Sequence, residues 1–254
     1  MLNKLFSLAG RTALVTGGSK GIGKAMARAF AEAGANIAIS ARHEDELKKA
    51  KAEIADGTNV KVEYFVADMT QRDQVKKLAK DVLAKLGRVD VLVNNAGSNK
   101  PQTLVDTTEE AWDEILELNL SSCYLLSHLL VPGMIERKWG RIIHTSSIMA
   151  MASNPGRGIY SGTKAALIGM ARAHALELGP HGVTVNCLAP GPVATDMTAA
   201  LSEQRMADLT AAVPLGRVAT PDEIAGTVVF LASADAAYIT GAVIPVDGGL
   251  GMGH

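Results

Sequence analysis

Seven short aliphatic runs, separated by helix-length segments, constrain the fold more than any other feature of this sequence. The runs are TALVT (12–16), NIAIS (36–40), KVEYFVA (61–67), DVLVNN (90–95), RIIHTSS (141–147), VTVNCLA (183–189) and AVIPV (242–246). Helical patterns fall between them at roughly 21–34, 44–55, 71–86, 108–138, 158–179 and 221–233. Strand–helix–strand alternation implies parallel pairing, because a parallel neighbour can be reached only through a long crossover. The runs are apolar almost throughout, as expected of a sheet covered on both faces. The chain shows no repeat, low-complexity tract or linker. The expectation is an α/β protein with a single doubly wound domain over 1–254, its seven-stranded parallel sheet flanked by helices on both faces.

Hydrophobic residues make up 48% of the chain but aromatics only 4%, so the core must be built mostly from Ala, Val, Leu and Ile. The net charge is −1 with no basic block, which argues against nucleic acid or an anionic membrane as partner. No apolar run is read as reaching the ~18 residues of a membrane span. The opening MLNKLFSLAG lacks the form of a signal peptide, and a cytoplasmic location is expected. Cys123 and Cys187 are far apart and are expected to be buried, free thiols. His43, His128, His144, His174 and His181 show no metal-ligand spacing, and no metal is expected. The charged run EDELKKAKAE (44–53) pairs Glu44 with Lys48 and Asp45 with Lys49 at i,i+4, the mark of a solvated helix face.

The first functional signal is ALVTGGSKGIGKAMARAF. Gly17, Gly21 and Gly23 follow the first strand and open a helix. Glycine is required where backbone turns sharply or a ligand must come close, and a helix N-terminus offers N–H groups to phosphate. The spacing G-x-x-x-G-x-G differs from the commoner G-x-G-x-x-G, yet its place after strand one points to a dinucleotide cradle. An acidic residue at the end of strand two would bind the ribose hydroxyls of NAD. The sequence there is ISARHED, with Ser40 and Arg42 at the turn and Lys20 in the glycine loop. Two cations and a hydroxyl suit a 2′-phosphate, so NADP(H) is expected over NAD(H). Glu44 and Asp45 are expected to point away from it.

A second signal is IYSGTKAALIGM (159–170). Tyr160 and Lys164 lie one turn apart on the same helical face. Tyrosine alone titrates near 10, and a neighbouring cation favours its phenolate, so the pair suits proton exchange.

With NNAG at 94–97, Asn119 in LELNLSS, Ser147 in IIHTSS, APGPVAT at 189–195 and DGG at 247–249, the chain resembles the short-chain dehydrogenase/reductase family. The motifs follow the family's order, and the resemblance covers essentially the whole chain. It implies a Rossmann-type fold and hydride transfer between a nicotinamide and a carbonyl or secondary alcohol. It also implies a catalytic tetrad of Asn119, Ser147, Tyr160 and Lys164. Ser147 would hold the substrate oxygen, and Asn119 would link Lys164 to solvent through a water. Ser146 is the weaker candidate. Gly17, Ser19, Gly21, Ile22 and Gly23 match the pyrophosphate loop, and Asp68 with Met69 match the adenine site. Asn95, Ala96 and Gly97 match the segment lining the adenosine ribose, with Asn94 bracing the central strand. Pro190, Gly191, Val193 and Thr195 match the segment around the nicotinamide, where Tyr160 and Lys164 also belong. The family also implies a homotetramer.

The C-terminal third resembles 3-oxoacyl-[acyl-carrier-protein] reductases of fatty-acid synthesis, which implies a 3-oxoacyl thioester substrate. Arg137 and Lys138 then stand where such enzymes dock an acidic carrier protein. Two departures are His181, at the second docking position, and GIYSGTK, where Asn usually precedes Tyr. FSLAGRTALVTGG and ELGPHGVTVN look more like sugar-acid or polyol dehydrogenases, such as those acting on gluconate. A third alternative, a catalytically silent cofactor-binding scaffold, is opposed by the intact tetrad. The segment 196–213 is expected to be a lid loop, with Met197 and Leu201 against an acyl tail.

Overall fold

The structure, a computed structural model, describes residues 5–199 and 202–253. Seven parallel strands form one sheet: β1 (Thr12–Thr16), β2 (Asn36–Ala41), β3 (Val62–Val66), β4 (Val91–Asn94), β5 (Gly140–Thr145), β6 (Val183–Pro190) and β7 (Val243–Val246). Their order is β3-β2-β1-β4-β5-β6-β7. The chain winds outward one way from β1 to β3, then returns to β1 and winds the other way through β4.

Side-chain alternation sorts the strands onto two apolar layers. Ala13, Val15, Ile37, Ile39, Val91 and Val93 face helices α1 (Gly21–Glu32), α2 (Glu44–Ala55) and α9 (Pro221–Ala232). Leu14, Ala38, Leu92, Ile142 and Val185 face α3 (Arg72–Leu86), α5 (Ser122–Glu136) and α6 (Gly158–Leu178). Phe30 is the largest fully buried side chain. Local signals fit these elements. α9 opens on a capping box between Thr220 and Glu223 with Pro221 at its start. Arg217 and the cap hold the Glu223 carboxyl down to about 2. α3 ends on Gly87 in the left-handed region, φ 77°.

Two expectations need correction. The segment read as a lid loop carries two helices, α7 (Asp196–Ala199) and α8 (Glu203–Ala212), the second capped by Ser202. Leu201 lies outside the described residues, as does the side chain of Met197. The second concerns the apolar run. α4 (Glu109–Leu116), a π-helical turn (Glu117–Ser121) and α5 form one continuous helix of 28 residues, long and apolar enough by composition to span a membrane. Its Cys123, Leu126, Leu130 and Met134 are buried in the layer shared with α3 and the sheet, which accounts for that character by packing.

Charge is buried at the N-terminal edge of the sheet. Asp90, fully buried, takes the Thr12 N–H at 3.0 Å and Arg88 Nη2 at 2.5 Å, with Arg137 Nε at 3.4 Å. It thereby ties β1 to β4. Removing the carboxylate leaves the Thr12 N–H unpaired and two partly exposed guanidinium groups close together. We expect Asp90→Ala to lower stability by about 1–3 kcal/mol, read as a lower urea midpoint at unchanged denaturant slope.

Candidate active site

The sheet reverses winding between β1 and β4, and there the loops at the strand C-termini diverge to leave a crevice. Thr16, the last residue of β1, holds the crevice in shape. Its Oγ1 accepts the N–H groups of Asn95 and Ala96, both at 3.0 Å, and Asn95 Nδ2 donates to its carbonyl at 2.9 Å. Gly17 turns the chain away at φ 66°. Gly23 allows α1 to approach that turn, since a Cβ there would lie 2.2 Å from the Gly17 carbonyl oxygen. α1 has no side-chain cap and no acidic residue in its first turn, and half-buried Ile22 packs on the core. Gly21 faces Thr195, whose methyl would meet a Cβ at 3.4 Å. The glycine loop and the 190–195 segment therefore converge. In that segment Pro190 ends β6, Gly191 N–H donates to Val246 O at 3.0 Å, and Val193 is buried beside Ala219. Thr198 Oγ1 accepts the Thr195 N–H at 2.8 Å and caps the turn.

The adenosine side departs from expectation in places. Asp68 closes a local turn, its carboxylate taking the Thr70 N–H and hydroxyl, and Met69 is buried in the core. Ser40 is fully buried, so its hydroxyl does not face the crevice. Its backbone carbonyl instead accepts the Gly18 N–H at 3.1 Å, and its part is to hold the glycine loop. Arg42 is exposed with no ion pair among the described residues. Ser19 donates its hydroxyl to Glu46 at 3.1 Å, and Lys20 lies 3.5 Å from Glu46 and 3.6 Å from Asp196.

The four residues of the expected tetrad come from three elements. Asn119 sits in the π-helical turn, an irregularity common at functional sites. Its Oδ1 accepts the Ser98 N–H at 3.0 Å, and its Nδ2 donates to Ser98 O at 2.9 Å and Thr163 Oγ1 at 3.2 Å. The side chain thereby braces the 97–98 segment against α6. Ser147 caps the short turn Ile148–Ala150, its oxygen accepting the Met149 N–H at 3.1 Å, which leaves its own proton free to donate. Ser146 is spent otherwise, donating to the Lys164 carbonyl at 2.8 Å. α6 packs on that turn and carries Tyr160 and Lys164. The Lys164 ammonium is buried, donates to Thr145 O at 2.6 Å and lies 5.6 Å from the centre of the Tyr160 ring.

Exposed Gly97 forms a shallow cradle over this group. A Cβ there would meet Asn119 Oδ1 at 3.2 Å and Lys164 Nζ at 3.3 Å. Glycine cradle, uncapped helix start and the Lys164 ammonium beneath Gly97 together fit a dinucleotide. Gly17, Gly21 and Gly23 would hold its phosphates, and Lys164 and Thr195 its nicotinamide end; Gly97, expected on the adenosine-ribose side, lies against Lys164 instead and so belongs with that end.

Thr16, Ser98, Thr145, Thr163 and Glu46 were not singled out in the sequence. Thr16, directly before the first glycine, had the best local signal. Behind the site, Asn94 Nδ2 lies 3.2 Å from Ser127 and 3.1 Å from His144 Nδ1, and burial pushes that imidazole down to about 3. It is neutral at physiological pH. Cys123 and Cys187 are buried, free thiols, and burial pushes Cys187 up to about 12. Arg137, expected as a docking cation, is turned inward, donating to Val89 O at 2.7 Å beside Asp90.

A doubly wound parallel sheet with a glycine cradle at its switch point, and a buried lysine with a half-buried tyrosine beside it, defines a nicotinamide-dependent oxidoreductase. A family model described as enoyl-(acyl carrier protein) reductase matches residues 17–251. A 3-oxoacyl-[acyl-carrier-protein] reductase, FabG, of Chlamydia muridarum is 41% identical over 96% of this chain and 98% of its own. The nodulation protein G of a Rhizobium species is 40% identical over 98% of this chain and 100% of its own. A crystal structure from Beutenbergia cavernae, of a protein put forward as an NAD(P)-dependent gluconate 5-dehydrogenase with NADP at low occupancy, is also similar. It superposes with a TM-score of 0.92 at 42% identity, covering 96% of this chain and 98% of that one. The chain belongs to the short-chain dehydrogenase/reductase family. It is an NAD(P)-dependent oxidoreductase acting on CH–OH and C=O groups.

Proposed function

We propose that this enzyme reduces 3-oxoacyl thioesters with NADPH, using Ser147, Tyr160 and Lys164 as catalytic residues and Asn119 as a positioning residue. The observation that carries the substrate assignment is the cleft of about 910 Å³ along α7 and α8, where Ala199, Met206, Ala207, Val213 and Pro214 outnumber the polar Thr198, Glu203 and Thr210, and Val213 packs on Ile148 next to Ser147. An acyl tail would bury apolar surface there that a polyol cannot. The identity to 3-oxoacyl reductases, about 40% over nearly full length, supports the same reading.

The bound nicotinamide supplies the hydride, which this chain has no group to provide. Ser147 donates its free hydroxyl proton to the substrate oxygen and fixes it beside the Tyr160 phenol. As the carbonyl carbon gains the hydride and its C=O π bond opens, the Tyr160 O–H bond breaks and the proton passes to the oxygen, giving the alcohol. The Lys164 ammonium faces the phenolate left behind. Asn119 keeps Gly97 and α6 in register around the cofactor's nicotinamide end. Lys20 and Arg42 would pair with the 2′-phosphate, and exposed Arg42 is free to do so.

Gluconate-type oxidation is the second reading, favoured by the 42% identity to the Beutenbergia structure. An acidic carrier, if it delivers the substrate, would meet Lys138 rather than Arg137, so its docking is weak and free thioesters also serve. We assign a cytoplasmic homotetramer, which exposed apolar side chains on α5 and α6, Tyr124 and Leu176, support.

Tyr160→Phe removes only the proton donor, so turnover should fall by about 100-fold or more. NADPH binding, followed by fluorescence, should persist. Replacing Lys20 and Arg42 by Met together should weaken NADP+ by at least about tenfold and leave NAD+ nearly unchanged in calorimetric titration. For the substrate, NADPH oxidation with an acetoacetyl thioester should be clear, and NADP+ reduction with gluconate or polyols slow. Turnover of a sugar acid without the thioester would reverse the ranking.

A further inference from the structure

Three carboxylates open α2, and they face different ways. Glu44 accepts the Tyr64 hydroxyl at 2.9 Å and pairs with Lys48 at 3.2 Å, so it is held toward β3. No partner among the described residues draws Asp45 to the glycine loop. Glu46 turns the other way. One oxygen accepts the Ser19 hydroxyl at 3.1 Å and the other lies 3.5 Å from the Lys20 ammonium. A carboxylate thus sits on the hydroxyl and the cation of the glycine loop, four residues beyond exposed Arg42.

We propose that Glu46 is a cofactor-discriminating residue: held in place by the Ser19 hydroxyl, it competes with the 2′-phosphate for Lys20 and so lowers the enzyme's preference for NADP(H). This rests on the reading that Lys20 and Arg42 recognise that phosphate. The phosphate and the carboxylate are both anions that want the same donors. For the phosphate to reach Lys20, the Glu46 side chain must leave and then lie beside it as a like charge. NAD(H) carries a hydroxyl at the same position and asks for no such displacement. Glu46 lies in the first turn of α2 and not at the end of β2, so it opposes the phosphate from the helix side while Arg42 favours it from the strand side. The second neighbour of Lys20, Asp196, is far more exposed, 82% against 39% for Glu46, and competes less. A preference set by opposed charges is narrow, and one change in charge shifts it.

Glu46→Gln keeps the shape and removes the charge. Calorimetric titration of the full chain with NADP+ and with NAD+, without substrate, reads binding apart from turnover. NADP+ should bind roughly tenfold tighter in the variant and NAD+ within about twofold of wild type. The gain should shrink as salt rises, and an unchanged thermal melt shows that the fold is intact. Unaltered NADP+ affinity, or equal tightening of both cofactors, overturns the proposal. Replacing Lys20 and Arg42 separates the two readings. If that weakens NADP+ while Glu46→Gln changes nothing, the phosphate site stands and the role of Glu46 falls. If it leaves NADP+ binding untouched, the phosphate site fails and this inference with it.

Discussion

The junction between β1 and β4 is the constraint on which the rest of the molecule depends. These strands are adjacent in the sheet but far apart in the chain, and the direction of winding changes between them. Side chains lock the junction at both ends. Asp90 accepts the Thr12 N–H and two guanidinium groups at the N-terminal edge, and Thr16 accepts the amides of Asn95 and Ala96 at the other. Between the locks the paired residues are Ala13–Val91, Leu14–Leu92 and Val15–Val93, all fully buried. The crevice at the C-terminal edge is what remains where neighbouring loops must part, and it is rigid because Thr16 holds both sides.

Chemistry is placed on that frame by a few backbone carbonyls and amides. A buried ammonium is tolerated only with partners, and Lys164 finds one in Thr145 O at the end of β5. Ser146, next in the chain, binds back to the Lys164 carbonyl, so β5 and α6 are joined twice within one turn. The same strand end gives Ser147, whose lone pair is used by Met149 and whose proton is left over. Asn119 then fixes the opposite wall through Ser98 and Thr163. A reacting oxygen would meet groups whose positions are set by bonds they make elsewhere, which is how a site is pre-organised before substrate enters.

The features proposed to set substrate and cofactor choice are weaker and more exposed. The cleft beside α8 mixes apolar side chains with Thr198, Glu203 and Thr210 on short helices and the turn after them, the kind of segment that varies without cost to the sheet. The ionic contacts of Lys20 are partly solvated and screened. Both features stand apart from the core, so one scaffold can serve relatives described by different substrates.

What the sequence by itself determined was the sheet and the family to which the chain belongs. The strand over 12–16 and the helix over 44–55 coincide with the structure, since unbroken aliphatic runs and amphipathic periods are local signals. The closeness of Tyr160 and Lys164 was legible because helix spacing fixes it, and the Lys164 ammonium lies 5.6 Å from the centre of the Tyr160 ring. Tertiary structure alone decided where side chains went once their local options were equal. Ser40 was read as a phosphate ligand and is buried, because it still lies within β2, paired to Thr16 and Phe65 in a sheet covered on both faces. Arg137 was read as a surface cation and points to Asp90, whose buried carboxylate, 47 residues earlier in the chain, no local pattern reveals. Asn119 spends its amide on Ser98, and Glu46 reaches the glycine loop across 27 residues of chain. Long polar side chains have many rotamers of similar energy, and only partners brought near by the fold select among them.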